Sequence, residues 1–411
     1  MKALVLCGGI PQIALMEDLK SRGITVVLAD MNENVGGRKY ADIFYPVSVL
    51  DPVGVKNVAV KENVDFIITV CADQVLEIVA QVSEELGLPC YIDAETAENV
   101  SKKSFMKKIF SENGVPTSKH IIFEELDSEK IKILAYPLIV KPVDSYSSRG
   151  VKKVTNEEEL IKAFDEAKNI SRTKTVIVEE FVEGEEITVD VYVENGKAKL
   201  LTTSVSDKVK GEGFVIHRTR NPANIDEKIK NQITDTAQKI AEAFKLENTP
   251  MLIQLITNGE KISVIEFCAR TGGGIKFRLI KKVTGFDVVK AVVDLTLGNK
   301  PHYEDDGRKR PVIVNEFLYA KDGVLDYLEG FEELYKEGII NEYYQFKNAG
   351  TQVGSMKSSG DRIACFTIQC DDIETLKKYH SIANKKIRAI STKGEDLIRH
   401  DLVANLMEKG I

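Results

Sequence analysis

Over the first hundred residues, short aliphatic runs alternate with segments of helical period. The runs are KALVLC at 2–7, TVVLA at 25–29, FYPV at 44–47 and DFIIT at 65–69, and helical patterns run through Leu19 and from 73 to 86. Strands alternating with helices predict βαβ units and a parallel sheet. An amphipathic helix carrying Lys102, Lys103, Lys107 and Lys108 follows, and Gly114-Val115-Pro116-Thr117 marks a boundary. From 137 to 205 the texture is strand-rich with one helix at 156–168. A second helix covers 225–244, and a pair of strands covers 251–257 and 261–267. Helices set apart from antiparallel runs read as α+β. Beyond Arg310 the chain mixes strands at 311–319 and 362–369 with charged helices, and no repeat or low-complexity tract interrupts it.

Composition narrows the classes of function. A chain of 411 residues predicts two or three domains, each large enough to bury a core. With 56 Lys and Arg against 63 Asp and Glu, the net charge of -7 argues against a dedicated nucleic-acid binder, which needs a positive surface. The six cysteines include no C-x-x-C pair, so zinc and thioredoxin motifs are not expected. The start, MKALVLCGGIPQIAL, lacks the features of a secretory signal, and no run approaches 18 apolar residues. A cytoplasmic chain without membrane partners is therefore expected.

Four segments carry candidate chemistry. Gly8-Gly9 after the first strand and Asp30 after the second begin as a dinucleotide fold would, but Pro11 and a missing third glycine favour a plain strand-to-helix turn over NAD binding. From Tyr136, an aliphatic strand delivers Lys141 and runs into a hydroxyl-rich loop, Asp144-Ser-Tyr-Ser147-Ser148-Arg149-Gly150, whose backbone amides suit a polyphosphate. An edge strand and turn would look the same. A second apolar strand ends in Glu179-Glu180-Phe181-Val182-Glu183-Gly184-Glu185-Glu186, which suits either a purine hinge with a ribose-binding acid or a solvated hairpin. Finally, Gln254 stands on one strand, and Glu266-Phe-Cys268-Ala-Arg270-Thr-Gly272-Gly273-Gly274 ends the next. Hard oxygen donors and a guanidinium could there face one phosphate.

In this order the segments resemble the ATP-grasp superfamily of carboxylate-amine ligases, in its carbamoyl-phosphate-synthetase-like and amino-acid-ligase-like branch. The resemblance implies an N-terminal parallel-sheet (pre-ATP-grasp, Rossmann-like) domain at 1–99, an ATP-grasp core at 100–299 and a C-terminal α+β region at 300–411. The core would divide near 117–182 and 183–299. The resemblance further implies that Lys103 and Lys141 meet the ATP phosphates, and that Ser147, Ser148 and Gly150 belong to a flap over them. Glu179, Glu180 and Val182 would form the adenine hinge, with Glu186 on the ribose. Gln254 and Glu266 would hold Mg²⁺, or Mn²⁺ in its place, and Arg270 would face the transferred phosphoryl group beside Lys141. Cys268 stands where the family commonly has Asn, and a thiol is a poor Mg²⁺ ligand.

For the substrate side, the basic stretch containing His217 and Arg218 and the glycines Gly273 and Gly274 are the expected contacts, with Arg270. The implied activity is ADP-forming amide synthesis from a small carboxylate and an amine through an acyl phosphate, on an amino-acid-type carboxylate. Neither a Walker A sequence nor a biotin motif is present. The family also allows a homodimer. Rival readings are a purine-type ligase, a non-catalytic ATP-binding protein and, last, an NAD-linked oxidoreductase.

Overall fold

The computed structural model describes residues 1–145, 149–209, 214–356 and 358–403. The N-terminal unit contains β1 (Lys2–Leu6), α1 (Ile10–Ser21), β2 (Thr25–Ala29), β3 (Ile43–Tyr45), α2 (Pro52–Glu62), β4 (Phe66–Ile68) and α3 (Asp73–Leu86). Its strands pair in parallel in the order β3-β2-β1-β4. β1 and β2 are buried on both faces, which explains their unbroken aliphatic runs. The Gly8 amide bonds the Asp30 carboxylate at 2.9 Å, and the Gly8 carbonyl accepts from Gly37 at 2.8 Å. Those glycines and Asp30 therefore tie off the turn.

Two connecting helices, α4 (Ala94–Ser101) and α5 (Lys103–Glu112), lead to a four-stranded antiparallel sheet in the order β5-β8-β6-β7. Its elements are β5 (His120–Phe123), α6 (Ser128–Ile131), β6 (Leu138–Pro142), β7 (Lys152–Val154), α7 (Glu157–Ile170) and β8 (Val176–Glu180). The helix α7 starts at an Asn156 cap with three acids in its first turn, which suits the positive end of its dipole. It lays Leu160, Ala163, Phe164 and Ala167 against Leu138, Val140, Val176 and Val178. That single apolar stripe leaves the other face of the sheet free for a ligand.

The largest layer is an eight-stranded antiparallel sheet. It takes in β9 (Glu185–Glu194), β10 (Lys197–Lys208), β11 (Ile216–Asn221), β12 (Thr249–Thr257) and β13 (Ile262–Cys268), with α8 (Glu227–Ala243) packed on it. After α9 (Lys276–Thr284) and α10 (Val288–Thr296) come β14 (Val312–Leu318), β15 (Gly323–Glu329), α11 (Phe331–Lys336), β16 (Glu342–Gln345), β17 (Gln352–Val353), β18 (Ala364–Cys370), α12 (Ile373–Lys386) and β19 (Arg388–Ser391). The order β13-β12-β9-β10-β11-β14-β18-β16 carries the sheet straight across residue 299, so no break in hydrogen bonding separates the C-terminal region from the core. Strands β17, β15 and β19 form a small sheet of their own. Among the described residues, no helix is long and apolar enough to cross a membrane. Helices α9 and α10 share a core with α1, through Phe277, Ile280, Val289 and Val292 against Leu15 and Leu19. The N-terminal unit is thereby held beside the end of β13.

Candidate active site

The strand β6 brings Lys141 to the free face of the four-stranded sheet, and β8 brings Glu179 beside it. The Glu179 carboxylate accepts from Lys141 on one oxygen and, on the other, from Lys107 and Ser118 at 2.8 Å each. Burial alone would raise the pKa of Glu179, but the two lysines outweigh it and hold the carboxyl well below the usual range. Burial and repulsion from Lys141 outweigh Glu179 at the other end and bring Lys107 down to about 8. Two lysines on one carboxylate leave a net positive charge beneath the cavity.

Opposite lies the eight-stranded sheet. Gln254 on β12 is the register partner of Glu266 on β13, and its amide donates to Glu186 at 3.4 Å. Glu186 in turn pairs with Lys208. From the start of α5, Lys103 reaches Glu266 at 3.3 Å and donates to the Ser145 carbonyl at 2.6 Å. Burial opposes the charge on Lys103, yet Glu266 overcomes it and raises the lysine pKa. Arg270 makes a two-bond pair with Asp73 at the first turn of α3. Burial pushes the Cys268 thiol far above its ordinary pKa, so the group is neutral beside Asp73. Lys276 bonds Thr188 at 3.1 Å and Ser204 at 2.9 Å and pairs with Asp190 at 3.1 Å.

One cavity of about 800 Å³ runs between the two sheets and reaches the N-terminal unit. Lys103, Lys141, Glu179, Glu180, Val182, Glu186, Gln254, Glu266, Arg270, Gly273 and Gly274 all line it. Gly150 has φ +77, and a side chain there would strike Ile170 at 2.8 Å, so only glycine fits this turn. Gly150 is not part of the wall, although Asp144, Ser145 and Val151 beside it are. Ser147 and Ser148 lie outside the described residues.

His217 and Arg218 do not meet their expectation, since neither lines the cavity. The pairing of β10 with β11 shifts register at Asp207 and Lys208, so that Lys208 meets Ile216 and His217 is the extra residue. The resulting bulge breaks the alternation of sides. Ile216 and Thr219 both line the cavity, while His217 and Arg218 turn together toward Glu316. Arg218 donates to Glu316 at 2.6 Å, and His380 lies 3.0 Å from the same oxygen. All four are buried, in a polar network behind the sheet.

Residues 134–278 match the model of the ATP-grasp domain. The chain carries an ATP-grasp domain. Alanine–anticapsin ligase from Bacillus subtilis strain 168 is 29% identical over 254 residues, 56% of this chain and 53% of that protein. D-alanine–D-alanine ligase from Prochlorococcus marinus strain MIT 9301 is 29% identical over 163 residues, 35% of this chain and 44% of the relative. The chain thus spans about half the length of these curated relatives. Among solved structures, L-amino acid ligase from Bacillus licheniformis superposes with a TM-score of 0.82 at 20% identity, covering 95% of this chain and 98% of the other. Phosphoribosylglycinamide synthetase from Anaerococcus prevotii does so with 0.76 at 20% identity, over 95% and 99%. At such identity the likeness establishes a common fold.

Around the ATP-grasp domain stand residues that sequence reading passed over. Asp73 entered the sequence reading only as the first residue of a helical segment, and Asp190 did not enter it at all. Lys107 was visible only as one of several lysines on an amphipathic helix. Each has its ion-pair partner 72 to 197 positions away along the chain, the largest separation being that of Arg270 and Asp73. Local pattern contains no trace of such pairings.

Proposed function

We propose that this chain is an ADP-forming ligase that joins a small carboxylate to an amine through an acyl phosphate. The observation that carries the reading is the convergence of Lys103, Lys141, Gln254, Glu266 and Arg270 on one cavity between two sheets. Lys141 and Lys103 would neutralise the triphosphate, with Lys141 set in place by Glu179. The strand end from Glu180 to Val182 would supply the adenine hinge, and Glu186 the ribose contact. The substrate carboxylate oxygen would attack the γ-phosphorus and release ADP. The amine nitrogen would then attack the acyl carbon, phosphate would leave, and the amine would give up its proton. Positioning and charge neutralisation are the chain's share of this work.

Gln254 and Glu266 fit a magnesium ion, since an amide oxygen and a carboxylate oxygen in register are both hard donors. Bound there, the ion supplies charge neutralisation at the phosphates. Among the described residues, no cluster of three His, Cys, Asp or Glu side chains is placed to hold a metal, so its remaining ligands would be phosphate oxygens and water. The neutral Cys268 is a neighbour of that ion rather than a ligand. The reading divides the chain into 1–99, 100–299 and 300–411 by task, with the amino-acid-type carboxylate held toward Arg270, Gly273 and Gly274.

A screen of carboxylate and amine pairs for ADP release and product mass tests this directly. Lys141→Ala and Glu266→Gln should each lower ADP formation by about 10²–10³-fold with unfolding midpoints close to wild type. Folding survives Lys141→Ala because Glu179 keeps Lys107. Wild-type turnover in either variant, or no ADP with any pair, would overturn the reading.

A further inference from the structure

The cations on the cavity wall come with acids, among the described residues. Lys103 has Glu266, Lys141 has Glu179, Lys208 has Glu186, Arg270 has Asp73, Lys276 has Asp190, and Arg172 has Asp144. Arg362, also on the wall, has no such partner among the described residues. It is nonetheless fixed. Its guanidinium lies 3.7 Å over the Phe317 ring, Nε donates to the Tyr319 hydroxyl at 3.2 Å, and Nη2 donates to the Ile216 carbonyl at 3.1 Å. Stacking and two hydrogen bonds set the direction of the fork while leaving its charge uncompensated. A fixed, partly buried guanidinium with no acid against it is suited to an anion from outside.

The surrounding wall is polar in the same place. Ser206, Thr219 and Asn315 are neighbours in a row across β10, β11 and β14. Asn315 donates to Thr219 at 3.1 Å and accepts from Thr367 at 2.8 Å, whereas the buried Ser206 hydroxyl has no partner among the described residues. Strand order places β14 four positions from β12, which carries Gln254. At 4.7–4.9 Å per strand that separation is roughly 19 Å between strand axes. Lys103 and Lys141, the cations assigned to the triphosphate, lie on other elements at the Glu266 end.

We propose that Arg362 binds a second anionic group of the organic substrate, a carboxylate or a phosphate, remote from the carboxylate that is activated. The proposal rests on the ligase reading, which it deepens by naming the substrate class: a molecule with an anion at its far end. Ser206 and Asn315 supply the hydrogen bonds between the two ends. A simple α-amino acid is too short to touch both.

The test is calorimetric titration of the full chain, with Mg²⁺ and a non-hydrolysable ATP analogue present. The probes are dodecanedioate, 12-phosphonooxydodecanoate and the monoamide of dodecanedioate, chosen long enough to approach both ends, the monoamide keeping the length with one charge removed. The doubly anionic probes should bind about tenfold more tightly than the monoamide, and Arg362→Gln should erase the difference with affinity for the nucleotide analogue unchanged. Arg362→Lys should restore part of it. The stronger of the dodecanedioate and 12-phosphonooxydodecanoate signals tells carboxylate from phosphate. Equal binding of dodecanedioate and its monoamide, no binding of any probe, or a loss of nucleotide affinity in Arg362→Gln would each overturn the proposal. Because titration needs no turnover, a failure of ADP release would count against the ligase reading alone.

Discussion

Glu179 shows how much one buried side chain can hold. Among the described residues it is the carboxylate that pairs with both Lys107 and Lys141, and all three side chains are at most 8% exposed. Glu179→Gln would leave two buried ammonium groups facing an amide, and breaking a buried pair in this way costs about 3–5 kcal/mol. Urea unfolding should show that loss, and adding Lys107→Met should recover a large part of it, since one of the unpaired charges goes. Equal stability of Glu179→Gln and wild type would mean that the triad does not hold the sheet. In the sequence, Glu179 reads as a hinge acid because it ends an apolar strand. Its pairing with Lys107 was not legible, because a helix lysine and a strand acid 72 positions apart share no local pattern, and only the tertiary fold brings their tips to 2.8 Å.

At the scale of elements, Arg270 depends on a helix from another unit. The start of α3 presents Asp73 to the segment after β13, and the two-bond pair fixes the guanidinium against the cavity. Asp73→Asn keeps the shape and removes the charge. The expected result is ADP formation slowed by about 10–100-fold with KM for ATP little changed, because Lys103 and Lys141, the cations proposed for the triphosphate, stay in place. An unchanged rate would show that Arg270 needs no such support. The helices and most strands were legible from their periods, α3 and α8 most plainly, because an amphipathic stripe is a local property. The bulge at His217 was not. Nothing in Ile216-His217-Arg218-Thr219 announces an extra residue, and only pairing with β10 decides which side chains reach the cavity.

The whole molecule adds a dependence on acid. Glu316 joins β14 to β11 and α12 through Arg218, His217 and His380. Burial would raise its pKa, but Arg218 and the two histidines bring it down from 4.5 to about 2. Between those values the unfolded chain binds the proton and the native chain does not, so stability rises with pH there. The contribution, about 3 kcal/mol, is fully present above pH 4.5 and is lost as pH falls toward 2. Urea unfolding across that window should follow this slope, and Glu316→Gln should flatten it. The sequence by itself determined the order of strands and helices, the acidic balance and the candidate segments around Lys141, Glu266 and Arg270 that line the cavity, because each is written in a few consecutive residues. Only the tertiary structure decided that β14 and β18 extend the core sheet, that His217 and Arg218 turn away from the cavity, and that Arg362 stands on its wall with no acid against it among the described residues. Those outcomes depend on strand register and on partners far apart in the chain, and a linear pattern encodes neither.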